Sequence, residues 1–237
     1  MDKLYHNVVD FHSHVLPGAD HGSASVEESA AQFKFAKNAG VTRIIATPHF
    51  YPHRHSVEKF LARREKSYML LKDSGVLENA PQIRLAAEVL LCENLHKLPG
   101  LSELCIYGTN TILIELPFSD ISDPHVKTVS EIMNMGLDVV LAHADKYPHA
   151  DIERFVYIGA KLQINANAIT SIFNKKPHIY NWLDRGEVVA LGSDIHKTDK
   201  RAYKDFVKAQ KKIGNNLGYL CKKSDEIWSM SKDFFAK

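Results

Sequence analysis

Short apolar runs alternate with longer amphipathic segments along this chain of 237 residues. Runs such as Thr111–Ile114 and Asp138–Leu141 are largely apolar at consecutive positions, so both faces of each run avoid water. Strands of parallel sheets have this pattern because helices cover both faces of the sheet. The pattern predicts seven strands: Val8–Phe11, Ile44–Ala46, Ile83–Leu91, Thr111–Leu116, Leu137–Ala142, Lys161–Asn165 and Val188–Gly192.

Helix-start and helix-stop signals separate these strands. Ser25 and Glu28 have the spacing of a capping box, and Gly40 follows the predicted end of that helix. Ser56 can cap a second helix that reaches about Lys72. Similar signals predict helices from Asp123 to Gly136, over Asp151–Tyr157, within Ala168–Asp184 with a break at Pro177, and over Arg201–Ile213 and Ser224–Phe235.

The order of these elements predicts the fold class. Seven strand–helix repeats imply an α/β fold whose parallel strands are joined by helical crossovers. No linker rich in Pro, Gly or Ser divides the chain, so we expect one domain over residues 1–237. The simplest arrangement is a barrel related to the (β/α)8 type, in which functional groups lie at the carboxyl ends of the strands.

Side chains that can bind metals follow the first and last of these strands. His12 and His14 are two positions apart, which places them on the same face of a strand. Asp194 and His196 repeat this spacing after the seventh strand. Because the carboxyl ends of barrel strands meet at one face, both pairs are expected to share a site.

Four more candidates stand in or after the intervening strands. Glu88 and Glu115 interrupt apolar runs, where a carboxylate is rarely buried unless it is paired or binds a metal. His49 and His143 follow strand ends and also need partners there. A buried ion-pair network is the alternative, but the apolar strands offer few Lys or Arg residues to neutralise the carboxylates.

These eight donors predict more than one ion. A tetrahedral zinc site takes only three or four protein ligands, whereas two or three ions bridged by carboxylates could use them all. Such clusters activate water and clamp an oxyanion, and phosphoryl transfer is a reaction that suits this chemistry. A metal-dependent hydrolase is therefore expected.

Composition excludes other classes of function. The chain has 45% hydrophobic and 24% charged residues, as an ordinary soluble protein does. Its net charge of only +2 gives nucleic-acid binding no electrostatic support. No run approaches the roughly 20 apolar residues of a membrane span. Since Met1–Asn7 also lacks the features of a signal peptide, we expect no membrane insertion and a cytoplasmic location.

Charge and cysteine positions add two observations. The segment Lys197–Lys223 contains nine basic residues and two aspartates. Either a solvated helix face or a surface that attracts an anionic substrate explains this segment. The three cysteines have no metal-binding or redox spacing and are expected to be inert.

Five motifs, taken in order, resemble those of a known family. The chain resembles the PHP (polymerase and histidinol phosphatase) metal-dependent hydrolases, and within them the bacterial protein-tyrosine phosphatases linked to capsule and exopolysaccharide control. The motifs are Asp10–Pro17 (DFHSHVLP), Ile45–His49 (IATPH), Ile114–Phe118 (IELPF), Leu141–His143 (LAH) and Ser193–His196 (SDIH).

The resemblance implies a fold, a cofactor and a substrate. The implied fold is a distorted, TIM-like (β/α)7 barrel. The implied site holds two to three divalent ions, with Mn²⁺ expected and Fe or Zn as alternatives. The implied substrate is phosphotyrosine on a protein, typically the autophosphorylated tail of a bacterial tyrosine kinase.

The resemblance also assigns metal-binding roles and shows one departure from the family pattern. The family has Asp-Asp-Gly where this chain has Asp20-His21-Gly22. His21 would take the ligand position, so the site loses a negative charge and its preference can move toward softer ions. Asp20 is the alternative ligand. The assigned metal ligands are His12, His14, His21, His49, Glu88, Glu115, His143, Asp194 and His196.

The second departure concerns the grip on phosphate. Two arginines of the family correspond to Lys146 and Arg201 in this chain. Lys146 offers a point charge rather than a two-pronged fork, so weaker phosphate binding or altered substrate choice is expected. The leaving phenolate has a pKa of about 10 and needs little help from an acid. A nearby histidine, Asp145 or water could protonate it.

The sequence thus predicts a metal-dependent protein-tyrosine phosphatase in which a metal-activated hydroxide attacks phosphorus. Two alternatives stay open. A small-molecule phosphatase, such as histidinol-phosphate phosphatase, or a phosphodiesterase would use the same ions. A metal-binding scaffold without catalysis would account for the departures at His21 and Lys146.

Overall fold

Parallel strands form two sheets in the computed structural model, which describes residues 8–119, 121–171 and 176–230. One sheet has the order β1-β2-β4, and the other has the order β3-β5-β6-β7-β8-β9. The strands are β1 (Val8–Ser13), β2 (Val41–Ala46), β3 (His49–Phe50), β4 (Gln82–Leu85), β5 (Glu88–Leu90), β6 (Thr111–Glu115), β7 (Asp138–Leu141), β8 (Lys161–Asn165) and β9 (Val188–Gly192).

Helices connect most of the successive strands. They are α1 (Val26–Asn38), α2 (Val57–Asp73), α3 (Asp123–Asn134), α4 (His149–Tyr157), α5 (Ala166–Thr170), α6 (Pro177–Asp184), α7 (Lys200–Ile213) and α8 (Asn216–Ser229). Short 3-10 turns cover Val76–Asn79, Leu95–Lys97, Leu101–Leu104 and Ala144–Lys146. None of the helices among the described residues has both the length and the apolar character that crossing a bilayer requires.

The strands occupy seven positions in chain order. β2 and β3 are two parts of one interrupted strand, and β4 and β5 are two parts of the next, because β2 pairs with β4 and β3 pairs with β5. The outer edges meet where Ser13 forms a bridge with Ile195 and the His14 amide donates to the Ile195 carbonyl oxygen at 3.0 Å. The predicted distorted, TIM-like (β/α)7 barrel is confirmed, although over the described ranges β1 and β9 share no continuous ladder.

The predicted strand Ile83–Leu91 is divided in the structure. Ala86 and Ala87 separate β4 from β5. The adjacent strand is interrupted at Pro48, which has no amide N–H to contribute to a ladder. The Pro48 carbonyl oxygen still accepts the Glu88 amide at 3.1 Å. We attribute the matching breaks to this proline, and they free Glu88 to begin a new strand.

Serine side chains start the first helices as predicted. The Ser25 hydroxyl accepts the Glu28 amide, and the Ser56 hydroxyl accepts the Lys59 amide, both at 3.3 Å. The start of α3 differs by one residue, because Ser122 rather than Asp123 is the capping residue.

The helices near the carboxyl terminus differ more from the prediction. α8 begins at Asn216, eight residues before the predicted Ser224, because a single left-handed turn at Gly214 separates it from α7. Its predicted end at Phe235 lies outside the described residues. The predicted segment Ala168–Asp184 forms α5 and α6, and residues 172–175 between them are also outside the description.

Two clusters of buried apolar residues hold the strands and helices together. The larger one joins the helices to the outer faces of the strands. The smaller one takes residues from β1, β2, β6, β7 and β9, including Phe11, Leu113 and Val140. Since side chains from strands around the whole sheet meet there, this cluster fills the inside of the barrel. Trp228 of α8 belongs to it and closes it on one side.

Candidate metal centre

Eight of the nine predicted ligands converge at the carboxyl ends of the strands. Their donor atoms form four overlapping groups, and within each group the atoms lie within 4.8 Å of one another. The groups are His12/Glu88/His143, His49/Glu88/Glu115, His12/His14/Asp194 and His14/His49/His196. The geometry therefore brings together donors that are up to 184 positions apart in the sequence.

Glu88 lies at the centre of this donor cluster. Its Oε2 atom is 3.1 Å from His12 Nε2, 3.3 Å from His14 Nε2 and 3.0 Å from His49 Nδ1. Its Oε1 atom is 2.8 Å from His143 Nε2. The residue is 1% exposed, so this carboxylate depends entirely on the groups around it.

Imidazoles dominate the part of the donor cluster nearest to solvent. The His49 and His196 Nε2 atoms are 3.4 Å apart, and the rings of His14 and His196 stack with centroids 3.8 Å apart. Asp194 Oδ1 lies 3.6 Å from His14 Nε2. Glu115 lies on the other side, where its Oε2 is 3.8 Å from His49 Nδ1.

His21 occupies the rim rather than the centre. Its ring stacks 4.6 Å from that of His49 and 4.7 Å from that of His196, but it belongs to none of the four donor groups. Asp20 is engaged elsewhere: its Oδ2 accepts His14 Nδ1–H at 2.7 Å and the His49 amide at 3.0 Å. Asp20 thus orients two predicted ligands, and its role as an alternative ligand stays untested.

Gln163 and Asn165 support the donor cluster, and the sequence reasoning missed both. Gln163 Oε1 accepts the His143 amide at 2.7 Å and lies 3.0 Å from His12 Nδ1. Asn165 Nδ2 donates to Asp194 Oδ2 at 2.9 Å. Such partners fix the orientation of metal ligands. The signal was present, because two amides alternate with apolar residues in the buried strand β8.

Two of the predicted ligands have strained backbones. His143 has φ of 32° and Asp194 has φ of 52°, in the left-handed region that residues other than glycine rarely adopt. Such residues cost about 1–3 kcal/mol each and cluster at functional sites. Gly22 is required for a different reason, since a Cβ there would lie 2.4 Å from the Cβ of His14.

Electrostatics divide the histidines into two kinds. Burial opposes protonation of His14 and His143, but contacts with carboxylates outweigh it and raise both pKa values, that of His143 to about 9. Burial prevails at His49 and His196, whose pKa values fall to about 3 and about 4. His49 and His196 are therefore neutral at pH 7, the form in which imidazole binds a metal.

The donor set fits divalent cations. Glu88 Oε2, His49 Nδ1 and His143 Nδ1 are buried, and although Glu88 Oε2 lies 3.0–3.3 Å from three ring nitrogens, none of the three atoms has a partner with hydrogen-bond geometry among the described residues. Buried polar atoms seldom stay unpaired, so each such atom needs an explanation. Borderline imidazole nitrogens and hard carboxylate oxygens together suit Mn²⁺, Fe²⁺ or Zn²⁺. The groups are thus able to hold metal ions.

The predicted phosphate-binding residues are placed very differently. Lys146 Nζ donates to Asp194 Oδ2 at 2.7 Å, so this cation borders the donor cluster. Arg201 has a side chain that is 84% exposed, and its Nε donates to Asp199 at 3.3 Å. The structure therefore brings Lys146 to the site but leaves Arg201 directed to solvent.

Asp145 is also near the site but has a structural partner. Its buried Oδ1 accepts the Asn165 amide at 2.7 Å, and burial raises its pKa. Its backbone carbonyl oxygen accepts a hydrogen bond from Lys176 Nζ. The carboxyl group therefore stabilises the connection between β7 and β8, and its proposed role as a proton donor is not tested by this geometry.

Comparison with known proteins places the chain in a family. The profile of the CpsB/CapC family, described as capsular polysaccharide synthesis, matches residues 8–224. The chain belongs to this family. The resemblance to the capsule-linked branch of phosphatases, drawn from the sequence motifs, is thereby confirmed.

Named relatives of this CpsB/CapC protein are phosphatases. Tyrosine-protein phosphatase YwqE of Bacillus subtilis is 25% identical over 256 residues, which cover 96% of this chain and 94% of that protein. Tyrosine-protein phosphatase CpsB of Streptococcus pneumoniae is 25% identical over 213 residues, which cover 82% and 85% of the two chains.

A solved structure shares the fold. It comes from a study of YwqE from Bacillus subtilis and CpsB from Streptococcus pneumoniae, described as metal-dependent tyrosine phosphatases. The TM-score is 0.79 at 20% identity, and the match covers 95% of this chain and 96% of that one. The barrel inferred from strand order is therefore that of a known CpsB/CapC structure.

Proposed function

We propose that this protein is a metal-dependent protein-tyrosine phosphatase whose active site is the donor cluster at the carboxyl ends of the strands. The convergence of three carboxylates and five histidines into overlapping groups of donor atoms carries the proposal. Membership of the CpsB/CapC family and the named activity of its relatives support it.

The proposed cofactor is two to three divalent ions, with Mn²⁺ expected and Fe or Zn as alternatives. The buried groups around Glu88 would hold one or two ions, and the group of His14, His49 and His196 would hold another. His21 stands beside that last group and would complete its ligands. Bound ions would neutralise phosphoryl oxygens and supply a water of lowered pKa as the nucleophile.

The chain's own residues would orient the phosphate. Lys146 lies at the edge of the donor cluster, where its ammonium group can contact a non-bridging phosphoryl oxygen while it keeps its contact with Asp194. Asp145 would help to protonate the leaving oxygen only if its contact with Asn165 loosened. Arg201 would contribute only if its exposed side chain turned toward the site.

An aromatic pair beside the donor cluster suits an aryl phosphate. Phe118 is 75% exposed, and its ring stacks on Tyr147 with centroids 5.6 Å apart. The Tyr147 ring is 5.8 Å from that of His143, and its hydroxyl donates to the Leu116 carbonyl oxygen at 2.7 Å. A fixed ring thus presents Phe118 next to the site, where it would stack on a tyrosyl ring.

The substrate is proposed to be a phosphotyrosyl protein, and specifically a bacterial tyrosine kinase. The first part follows from the activity of the relatives, and the second part rests on the motif resemblance alone. A cytoplasmic location would give the protein access to such a kinase.

Removal of metal tests the proposal. Protein treated with EDTA and dialysed should lose hydrolysis of a phosphotyrosyl peptide and of para-nitrophenyl phosphate, and Mn²⁺ should restore both. Zn²⁺ and Fe²⁺ added in parallel would rank the ions. Full activity in metal-free protein, verified by elemental analysis, would contradict the proposal.

A small-molecule phosphatase or a phosphodiesterase would pass the same metal test, so substrate comparison must separate them. The exposed Phe118 favours an aromatic substrate. We expect kcat/KM for the phosphotyrosyl peptide to exceed that for histidinol phosphate and for a diester such as bis-para-nitrophenyl phosphate. The position of Arg201 favours the remaining alternative, a scaffold, which would bind the phosphopeptide with ions in place but never cleave it.

A further inference from the structure

A row of basic side chains runs along the exposed face of α7. We call the set Arg201, Lys204, Lys208 and Lys211 the basic stripe. All four residues are exposed, and their spacings of three and four residues place them on one side of the helix. The stripe therefore contains four of the nine basic residues of the segment Lys197–Lys223.

The opposite side of α7 fixes this orientation. Tyr203, Phe206, Ala209 and Ile213 are buried on that side. The Tyr203 hydroxyl also donates to Asp10 Oδ2 in β1 at 2.8 Å. The helix therefore cannot turn its basic side away from solvent without exposing this apolar face.

The lysines of the basic stripe have no partners within the described part of the chain. Lys204, Lys208 and Lys211 make no ion pair or hydrogen bond with any described residue. Lys212, just outside the stripe, differs because its Nζ donates to the Ile169 and Thr170 carbonyl oxygens at 3.3 Å. The charge of the stripe is thus available to a ligand.

The charge is concentrated in this region rather than spread over the molecule. Lys197–Lys223 contains nine basic and two acidic residues, a formal charge of +7, whereas the whole chain carries +2 and the rest therefore carries −5. An anionic partner would be drawn to this side of the protein in preference to the others.

The basic stripe also begins close to the proposed active site. α7 starts four residues after His196, one of the donors at the rim. From Arg201 to Lys211 the stripe extends about 15 Å, given a rise of 1.5 Å per residue. That length matches four or five residues of an extended peptide.

We propose that the basic stripe docks an acidic segment of the phosphoprotein substrate, close in sequence to the phosphotyrosine that enters the donor cluster. This inference rests on the proposed function, since the phosphotyrosine site is the fixed end of the docked peptide. Exposed charges of this kind speed encounter and select partners, and they act little on the chemical step.

The experiment compares two phosphotyrosyl peptides that differ only in the flanking residues. One peptide carries four Glu or Asp residues beside the phosphotyrosine, and the other carries Gln or Asn at the same positions. The test variant is K204E/K208E/K211E, which leaves Arg201 in place. The control variant, K66E/K72E/K161E, changes three exposed lysines on α2 and β8, so both variants change the net charge equally. Para-nitrophenyl phosphate reports on the site itself.

For the unmodified protein, kcat/KM should favour the acidic peptide, and the preference should shrink as NaCl rises from 0.05 to 0.5 M, because salt screens exposed charges. In the test variant kcat/KM for the acidic peptide should fall about tenfold, mainly through KM. In the same variant, kcat/KM for the neutral peptide and for para-nitrophenyl phosphate should change less than about twofold. In the control variant, kcat/KM for all three substrates should change less than about twofold.

Three results would overturn the inference. In the first, kcat/KM for the acidic peptide falls no more in the test variant than in the control variant. In the second, the unmodified protein hydrolyses the acidic and the neutral peptide with the same kcat/KM. Alternatively, the test variant could lose binding to vesicles of phosphatidylserine while its peptide preference stays intact, which would assign the stripe to a lipid surface. Failure of the proposed function is distinct, because the unmodified protein would then hydrolyse neither the acidic nor the neutral phosphotyrosyl peptide.

Discussion

The interior of the donor cluster and its rim differ in burial and in the partners available. Glu88 and His143 are each 1% exposed and contact mainly other donors. Lys146 has a side chain that is 37% exposed, and Phe118 is 75% exposed. Interior groups have no solvent to replace a lost partner, whereas rim groups do.

This difference in burial predicts different roles for the interior and the rim of the donor cluster. Interior residues would determine whether ions bind at all, so their removal should abolish activity toward every substrate. Rim residues would contact the substrate, so their removal should change kcat/KM by amounts that depend on the substrate. Four substitutions, from the interior outward, test this division.

The largest effect is expected for Glu88→Gln. Loss of one partner from a buried charge cluster costs about 3–5 kcal/mol, which corresponds to roughly a thousandfold in metal affinity. We expect phosphatase activity and bound metal, measured by elemental analysis, to fall together. Glu93→Gln, an acid outside the donor cluster, should change neither. Retention of all ions in Glu88→Gln would contradict the central place given to Glu88.

Lys146→Ala should have a smaller effect. A hydrogen bond to a charged group contributes about 1.5–3 kcal/mol, so kcat/KM should fall roughly 10- to 100-fold. Metal content should change little, because Lys146 contacts Asp194 from the rim. Lys146→Arg should keep or raise the activity, since a guanidinium group can bind two phosphoryl oxygens. Loss of metal from Lys146→Ala would contradict the role assigned to Lys146, because it would show that this residue helps to hold the ions as interior residues do.

Phe118→Ala should change substrate preference. Aromatic pairs contribute about 0.5–1.5 kcal/mol beyond buried area, so kcat/KM for a phosphotyrosyl peptide should fall about three- to tenfold. Hydrolysis of an alkyl phosphate such as phosphoserine should stay unchanged. Tyr157→Ala, which removes an aromatic ring 92% exposed at the end of α4, is the matched control. Equal losses for aryl and alkyl substrates would argue against stacking.

Arg201→Ala should have the smallest effect. The side chain is directed to solvent and, among the described residues, pairs only with Asp199, so kcat/KM for para-nitrophenyl phosphate should fall less than about threefold. The motif resemblance predicts more, because it makes Arg201 a phosphate-binding residue. A loss above tenfold would show that Arg201 turns into the site when substrate binds, and the rim would then extend to α7.

Local sequence patterns predict much of the fold. The bounds of β8 and β9 match the prediction because Gly159 and Gly186 end the preceding helices two residues before each strand, and β9 is also an uninterrupted apolar run up to Gly192. The break within Ile83–Leu91 was not readable from that run alone, since its cause is Pro48 in a neighbouring strand. The early start of α8 was missed because only tertiary packing shows that Leu220 faces the core.

Local sequence patterns also predict part of the donor cluster. His12, Glu88 and His143 stood out because a polar residue in an apolar strand needs a partner. Their mutual distances could not be read from the sequence, and neither could the support that Gln163 gives to two of them. The exposure of Arg201 also depends on how α7 packs, which motif spacing does not encode.

The metal content of the purified protein, measured by elemental analysis after dialysis against metal-free buffer, tests the central claim most directly. The account predicts at least two divalent ions per chain in the unmodified protein and fewer than one in Glu88→Gln. An unmodified protein that hydrolyses phosphotyrosyl peptide at full rate with less than one tenth of an ion per chain would contradict it.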